Sequence, residues 1–239
     1  MRHLGLALLA STAFVGAAAA ADIQAARPVY KAPAFAPVPV YNWTGYYVGG
    51  NIGYSWGRQD NSISGTGIGG TNLNGIIGGG QIGYNWQINQ IVFGLEADFQ
   101  GSGQKGDGSF AGAPGIIPTS TFTYTDKLDW FGTVRGRVGY AFDRWLPYVT
   151  GGWAYGHGSV SGTATGGVTG TGSVSNTYSG WTLGGGLEYA FLNNWSAKVE
   201  YLHIDFGNGP SVTLAPSAAV LSGGKLTDDI VRLGLNYRF

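Results

Sequence analysis

Residues Val231 to Phe239 read VRLGLNYRF. Taken in steps of two, Val231, Leu233, Leu235, Tyr237 and Phe239 fall on one side, and Arg232, Gly234, Asn236 and Arg238 on the other. A period of two is that of a β-strand, whose successive side chains point to opposite faces. One face is apolar, the other polar and charged, and the segment stops on an aromatic residue instead of a turn.

The same rule recurs seven times upstream. In GYYVGGNIGYSWG, Tyr46, Val48, Ile52, Tyr54 and Trp56 oppose Gly49, Asn51, Gly53 and Ser55, and the related GIIGGGQIGYNWQ sets Ile76, Ile82, Tyr84 and Trp86 against Gln81, Gly83, Asn85 and Gln87. The third segment places Phe93, Leu95, Ala97 and Phe99 opposite Glu96, Asp98 and Gln100; the fourth places Leu128, Trp130, Val134, Val138 and Tyr140 opposite Asp129, Thr133, Arg135 and Arg137. The fifth, PYVTGGWAYG, is ambiguous in phase, with Val149, Trp153 and Tyr155 the favoured apolar side. In the sixth, Trp181, Leu183, Leu187 and Tyr189 face away from Thr182, Gly184, Gly186 and Glu188; in the seventh, Trp195, Ala197, Val199 and Tyr201 face away from Ser196, Lys198 and Glu200.

The links alternate as well. Short turns are expected around Asn89, Asp143 and Asn193, and long Gly/Ser/Thr-rich loops over residues 58–74, 101–125, 157–177 and 207–227. An even number of antiparallel strands with short turns at one end and long loops at the other is the layout of a transmembrane β-barrel. The sequence therefore predicts an all-β fold, an eight-stranded antiparallel up-and-down transmembrane β-barrel spanning residues 43–239.

Two aromatic belts support an outward apolar face, because rings that are apolar at one edge and polar at the other sit at membrane interfaces. Tyr46, Trp86, Phe93, Tyr140, Tyr189, Trp195, Tyr237 and Phe239 fall at the short-turn end, and Tyr54, Trp56, Phe99, Trp130, Trp153, Tyr155 and Trp181 at the long-loop end. The opposite face would line the lumen with Glu96, Asp98, Asp129, Arg135, Arg137, Glu188, Lys198, Glu200, Arg232 and Arg238. Eight strands enclose a space that side chains can fill. These mixed charges are expected to form a salt-bridged network.

Composition agrees. Among 239 residues glycine contributes 44, charges are scarce, and 13 basic residues balance 13 acidic ones. Nothing in that balance draws the chain to nucleic acid. The absence of cysteine excludes disulfides, thiolate metal sites and cysteine nucleophiles. Residues 1–21 have the basic start, apolar stretch and small-residue run of a cleaved signal peptide. Residues 22–42, with Pro28, Pro33, Pro37 and Pro39, are expected to form a periplasmic linker.

At WTGYYVGGNIGYSWG and VRLGLNYRF the chain resembles the small outer-membrane β-barrel proteins of Gram-negative bacteria, of the porin-family or OMP_b-brl type, and the RopB-like surface proteins among them. The resemblance implies an outer-membrane location, contact with membrane lipid and lipopolysaccharide, and exposed variable loops. It implies also that Val231, Leu233, Leu235, Tyr237 and Phe239 form the signal read by the outer-membrane assembly machinery.

The expected role is structural, supporting envelope integrity and presenting loops at the cell surface, with no catalysis, cofactor or metal. A small passive diffusion pore is the alternative, and a loop-mediated adhesin or ligand binder a third. The linker and loops leave peptidoglycan or a host surface ligand open as partners. His203 and Asp205 share a face, a spacing that is common by chance and lacks a third catalytic group. The GGGQIG run sits in a strand with no following helix and is not a nucleotide loop.

Overall fold

A computed structural model describes residues 41–63, 66–112, 120–167, 169–209, 211–214 and 219–239. The signal peptide and most of the linker read from the sequence lie outside these residues. Nine strands follow in chain order: β1 (Gly45–Ile63), β2 (Thr66–Ile88), β3 (Ile91–Ala111), β4 (Ser120–Tyr140), β5 (Trp145–Gly166), β6 (Gly170–Ala190), β7 (Trp195–Asn208), β8 (Ser211–Leu214) and β9 (Ala219–Arg238). Each neighbour pair is antiparallel from β1 through β7, β7 pairs with β9, and β9 returns to β1. Eight strands thus form a closed ring. The four-residue β8 adds only to the far end of β9, at Ser211↔Ser222 to Leu214↔Ala219.

The turns that join strands at one end are tight for a local reason. Asn89 and Asp143 occupy the left-handed region at φ 55° and 53°, which Asn and Asp tolerate far better than other residues bearing a Cβ. At the other end the structure differs from expectation. The Gly/Ser/Thr-rich stretches expected as loops are largely strand: β3 and β4 pair as far as Ala111↔Thr121, and β4 and β5 as far as Ser120↔Gly166. Gly and Ser favour turns and Thr favours strands, and here cross-strand backbone bonds prevail and extend the ladders past the apolar belts.

The apolar face points outward. Ile52, Ile76, Leu95, Val149 and Leu233 are exposed, whereas Glu96, Arg135, Lys198, Glu200 and Arg232 are buried. A water-soluble barrel would reverse this arrangement. The fifth strand resolves in the favoured phase: Val149 and Trp153 face out, and Leu146, Tyr148, Thr150 and Ala154 face in.

One phase is different. At Leu128–Trp130 the β4–β5 register shifts, so Leu128 turns into the lumen while Asp129 lies exposed on the outer side. The extra residue of a bulge reverses the alternation on one side of it, which corrects the expectation that Asp129 belongs to the luminal charges and Leu128 to the outer face.

Two apolar clusters sit inside the barrel as well. Near the short turns, Tyr41, Trp43, Val92, Ala141, Leu146 and Ala190 pack together. Toward the extended end, Leu128, Phe131, Leu202, Ile204, Phe206 and Ile230 form the larger cluster with Leu73, Ile77 and Leu226.

An outward arginine tests this orientation. Leu233→Arg, midway along the lipid-facing side of β9, is expected to destabilise the barrel by about 2–4 kcal/mol, measured as reversible urea unfolding in lipid vesicles; an unchanged midpoint would contradict an outward, membrane-facing Leu233.

Candidate functional site

The lumen is closed by charge at mid-height. Strand alternation brings Glu96 and Asp98 from β3, Arg135 and Arg137 from β4, Glu188 from β6, Lys198 and Glu200 from β7 and Arg232 from β9 into one layer. Arg135 reaches three carboxylates: Nη2 lies 2.5 Å from Glu96 and 3.0 Å from Asp98, and Nη1 lies 3.1 Å from Glu200. Arg232 bridges Asp98 at 3.0 Å and Glu200 at 2.6 Å. Lys198 Nζ donates to both Glu96 oxygens at 2.8 Å, and Arg137 pairs with Glu188 at 2.8 Å. The eight groups balance at four of each sign, so the layer carries no net charge.

Neutral donors add to the cage. Tyr47 Oη donates to Glu96 at 2.7 Å and Tyr148 Oη to Glu200 at 2.9 Å. Ser196 and Asn236 donate to Glu188, and Thr133 to Asp98. Arg137 also stacks over the Tyr148 ring at 4.6 Å. Gly186 makes room for that tyrosine, since a Cβ there would stand 2.7 Å from Tyr148 Oη. Such additional partners offset part of the desolvation of the ion pairs, although Asp98 Oδ1, Arg137 Nε and Arg232 Nη1 are buried without a hydrogen bond.

Arg238, expected in the same network, is elsewhere. It lies at the short-turn mouth, with its guanidinium 4.4 Å over the Tyr41 ring and Nη2 donating to Asn193 O at 2.9 Å. The mouth itself is stoppered by residues just ahead of β1. Trp43 is 1% exposed, with its amide donating to Gln87 Oε1 at 2.8 Å and its indole N–H to Asp143 O at 3.1 Å. Tyr41 packs edge-on against Trp43 at 4.9 Å and donates to Asn193 O. Burial raises the pKa of the Tyr41 phenol despite the neighbouring Arg238 and Arg144. Tyr41 was expected at the end of an extended linker; burial of its ring instead makes it part of the plug.

A second polar cluster lies within the larger apolar layer, between Ile230 and Leu226 on β9, where Ser55, Gln104 and Asp228 are buried and joined by hydrogen bonds. Sequence reasoning missed Asp228, although it shares the inward phase of Ile230 and Arg232. No His reaches this Ser–Asp pair among the described residues: His203 faces the outer wall and pairs with Asp229 at 2.7 Å. Asp205, two residues from His203, pairs with Lys225 instead.

The aromatic residues form two outer belts. At the short-turn end Tyr46 contacts Tyr84, Tyr189 contacts Trp145, and Trp195 contacts Tyr237, which meets Phe239 edge-on at 5.2 Å. Trp86, Phe93 and Tyr140 are exposed at the same level. At the other end Phe99 stacks on Trp130 at 5.4 Å, Trp130 meets Tyr155 edge-on, and Tyr155 tilts against Trp153. Tyr54, Trp56 and Trp181 are exposed at the same end. Val231, Leu233, Leu235 and Phe239 are exposed on the outer side of β9.

A closed antiparallel ring with an apolar exterior, paired aromatic belts and a charged interior defines an integral β-barrel of the outer membrane. Residues 6–239 match the family described as the outer membrane protein beta-barrel domain, OMP_b-brl, and the chain belongs to that family. It is 40% identical to the 31 kDa outer-membrane immunogenic protein of Brucella melitensis over the full length of both chains. It is 35% identical to the 22 kDa outer membrane protein of Rhizobium leguminosarum over 72% of this chain and 68% of that one. Among solved structures, the fold is similar to OprG of Pseudomonas aeruginosa (TM-score 0.50, 12% identity, covering 83% of this chain and 98% of that one) and to the outer membrane protease OmpT of Escherichia coli (TM-score 0.53, 10% identity, covering 85% and 99%). The protein is located in the outer membrane.

Removing one member of the charge layer should be costly. Arg135→Met leaves Glu96, Asp98 and Glu200 short of a shared cation and is expected to destabilise the folded barrel by about 3–5 kcal/mol, read from unfolding midpoints in vesicles. A shift below half a kilocalorie would show that water already screens these groups.

Proposed function

We propose that this protein is a closed, non-catalytic barrel that reinforces the outer membrane and holds its paired hairpins at the cell surface. The observation that carries this proposal is the lumen: a neutral ion-paired layer lies between two apolar layers, and Trp43 and Tyr41 stopper one mouth. Ions crossing it would have to displace several desolvated salt bridges at once. Surface display fits the name of the full-length relative, which is called immunogenic. In this account Val231, Leu233, Leu235, Tyr237 and Phe239 are handled by the outer-membrane assembly machinery.

Catalysis fits the geometry poorly. The likeness to a protease is one of fold, and the His203–Asp229 pair faces the outer wall and not a cleft at the mouth of the lumen. The two histidines of the barrel are also already engaged, His157 stacking on Trp130 at 5.8 Å and His203 bound to Asp229.

A small diffusion pore is the competing reading, and conductance separates the two. The refolded protein, its folding checked by a heat-dependent gel shift, is expected to be silent in planar bilayers. Trp43→Ala alone should remain silent, because the charge layer still blocks the path. Steady openings from the unmodified protein would replace the structural proposal with a pore.

A further inference from the structure

At the height of the belt nearer the extended end, one sector of the outer wall is polar. Four adjacent strands bring it together: Asn72 and Asn74 on β2, Trp56 and Arg58 on β1, Thr227 and Asp229 on β9, and Tyr201 and His203 on β7. The register sets Trp56 between Asn74 and Asp229, Arg58 between Asn72 and Thr227, and Asp229 opposite His203. Across the barrel the same height is occupied by the contacting rings of Phe99, Trp130, Tyr155 and Trp153. Hydrogen-bonding groups are gathered in this sector, whereas on the far side the outward Asp129 stands singly beside the ring of Trp130.

Asp229 is the fixed point of the sector. Tyr201 Oη donates to its Oδ1 at 2.6 Å, and His203 Nδ1 lies 2.7 Å from the same oxygen. Neither bond uses Oδ2. With Trp56, Arg58, Asn72, Asn74 and Thr227, Asp229 lines a hollow of 220 Å³. A carboxylate oriented by two donors, two primary amides and a hydroxyl can both give and take hydrogen bonds, and an exposed indole offers a flat apolar face beside them. That combination suits a pyranose ring, whose hydroxyls point outward in its plane and whose C–H groups form a flat face. A bare phosphate suits it less, because Asp229 would repel it and Arg58 is drawn 3.2 Å from Asp60.

Below the hollow the same β1–β9 seam becomes apolar. Val48, Gly50, Ile52, Leu233 and Leu235 line a groove of 720 Å³ on the outer wall. From Trp56 to Ile52 is four residues, roughly 13 Å of strand at ~3.3 Å per residue. Allowing for a strand tilt of about 40°, the groove begins roughly 10 Å deeper, within reach of an acyl chain whose head lies at the hollow.

We propose that the Trp56–Asp229 hollow binds a sugar of an outer-leaflet glycolipid, with one acyl chain of the same lipid lying along the groove below. The site stands on the outer wall and is independent of whether the lumen conducts.

The test is native mass spectrometry of the refolded protein released from phosphatidylcholine vesicles doped with lipid A stripped of its phosphates, an acylated diglucosamine that leaves only sugar hydroxyls and acyl chains to be recognised. The unmodified barrel should retain one lipid A. Asp229→Ala combined with Trp56→Leu should lower retention about tenfold, the effect of losing one charge-assisted hydrogen bond. Asn72→Ala combined with Asn74→Ala, two exposed positions whose loss leaves the lumen untouched, should also lower it and carries the test if the first variant folds poorly. Trp153→Leu, in the aromatic sector, should retain lipid A normally. Equal retention by all of these proteins overturns the site. Displacement of lipid A by free diglucosamine at the same concentration would assign the hollow to soluble saccharides and overturn the lipid half of the proposal.

Discussion

At bilayer depth there is no water to satisfy a peptide group, so every strand of this protein must find two neighbours. The ladder between β1 and β9, from Tyr47↔Arg238 to Ile63↔Leu221, meets that demand for the first and last strands of the ring. The rest of the structure depends on its register. Side chains alternate with a period of two, so a slip of one residue along this seam would exchange the faces of β9. Leu233 and Leu235 would then enter the charge layer and Arg232 would enter lipid. Closure and sidedness are therefore one constraint, and the seam admits a single solution.

Charge inside the barrel follows from that solution. Once the apolar phase of each strand is committed to lipid, the opposite phase must hold whatever else the sequence carries. Glu96 and Asp98 on β3, Arg135 and Arg137 on β4, Lys198 and Glu200 on β7, and Arg232 on β9 can avoid desolvated isolation only by meeting one another. Most of these groups have more than one partner. Arg135 and Arg232 both reach Asp98 and Glu200, so β3, β4, β7 and β9 are tied across the lumen as well as along its wall. A network shared in this way favours the one register that completes it, beyond whatever net stability it supplies.

How much of this is legible in the sequence depends on the length scale of the signal. The period-two alternation carries the strand faces, the fold class and the belt residues, because lipid acts on every second residue alike. It fails where one residue breaks the count. The bulge at Asp129 inverts the phase for Leu128, and no local composition marks it. It fails again where a strand faces neither lipid nor charge: Leu202, Ile204 and Phe206 continue the inward phase of Glu200 as apolar residues, so polarity alone does not report the lumen. The extended hairpins were hidden for another reason. Gly and Ser favour a turn and Thr a strand, and cross-strand pairing decides between them. Trp43 and Tyr41 were out of reach because their partners, Asp143 and Asn193, lie 100 and 152 residues away.

The distribution of unusual chemistry follows from the same economy of space. An eight-stranded lumen filled by side chains leaves little room for a ligand, and here its charged groups are paired with one another. Residues free to meet another molecule must therefore lie on the outer wall or beyond the belts. On the wall most positions are held to apolar or aromatic identity by lipid, so a lipid-facing carboxylate is an expensive exception. Asp129, turned outward by the bulge in β4, and Asp229 are such exceptions, and Asp229 sits on the β1–β9 seam, held by Tyr201 and His203 at the level of the aromatic belt. The strand pair that closes the barrel therefore also carries, on its exterior, chemistry that the membrane alone would not require.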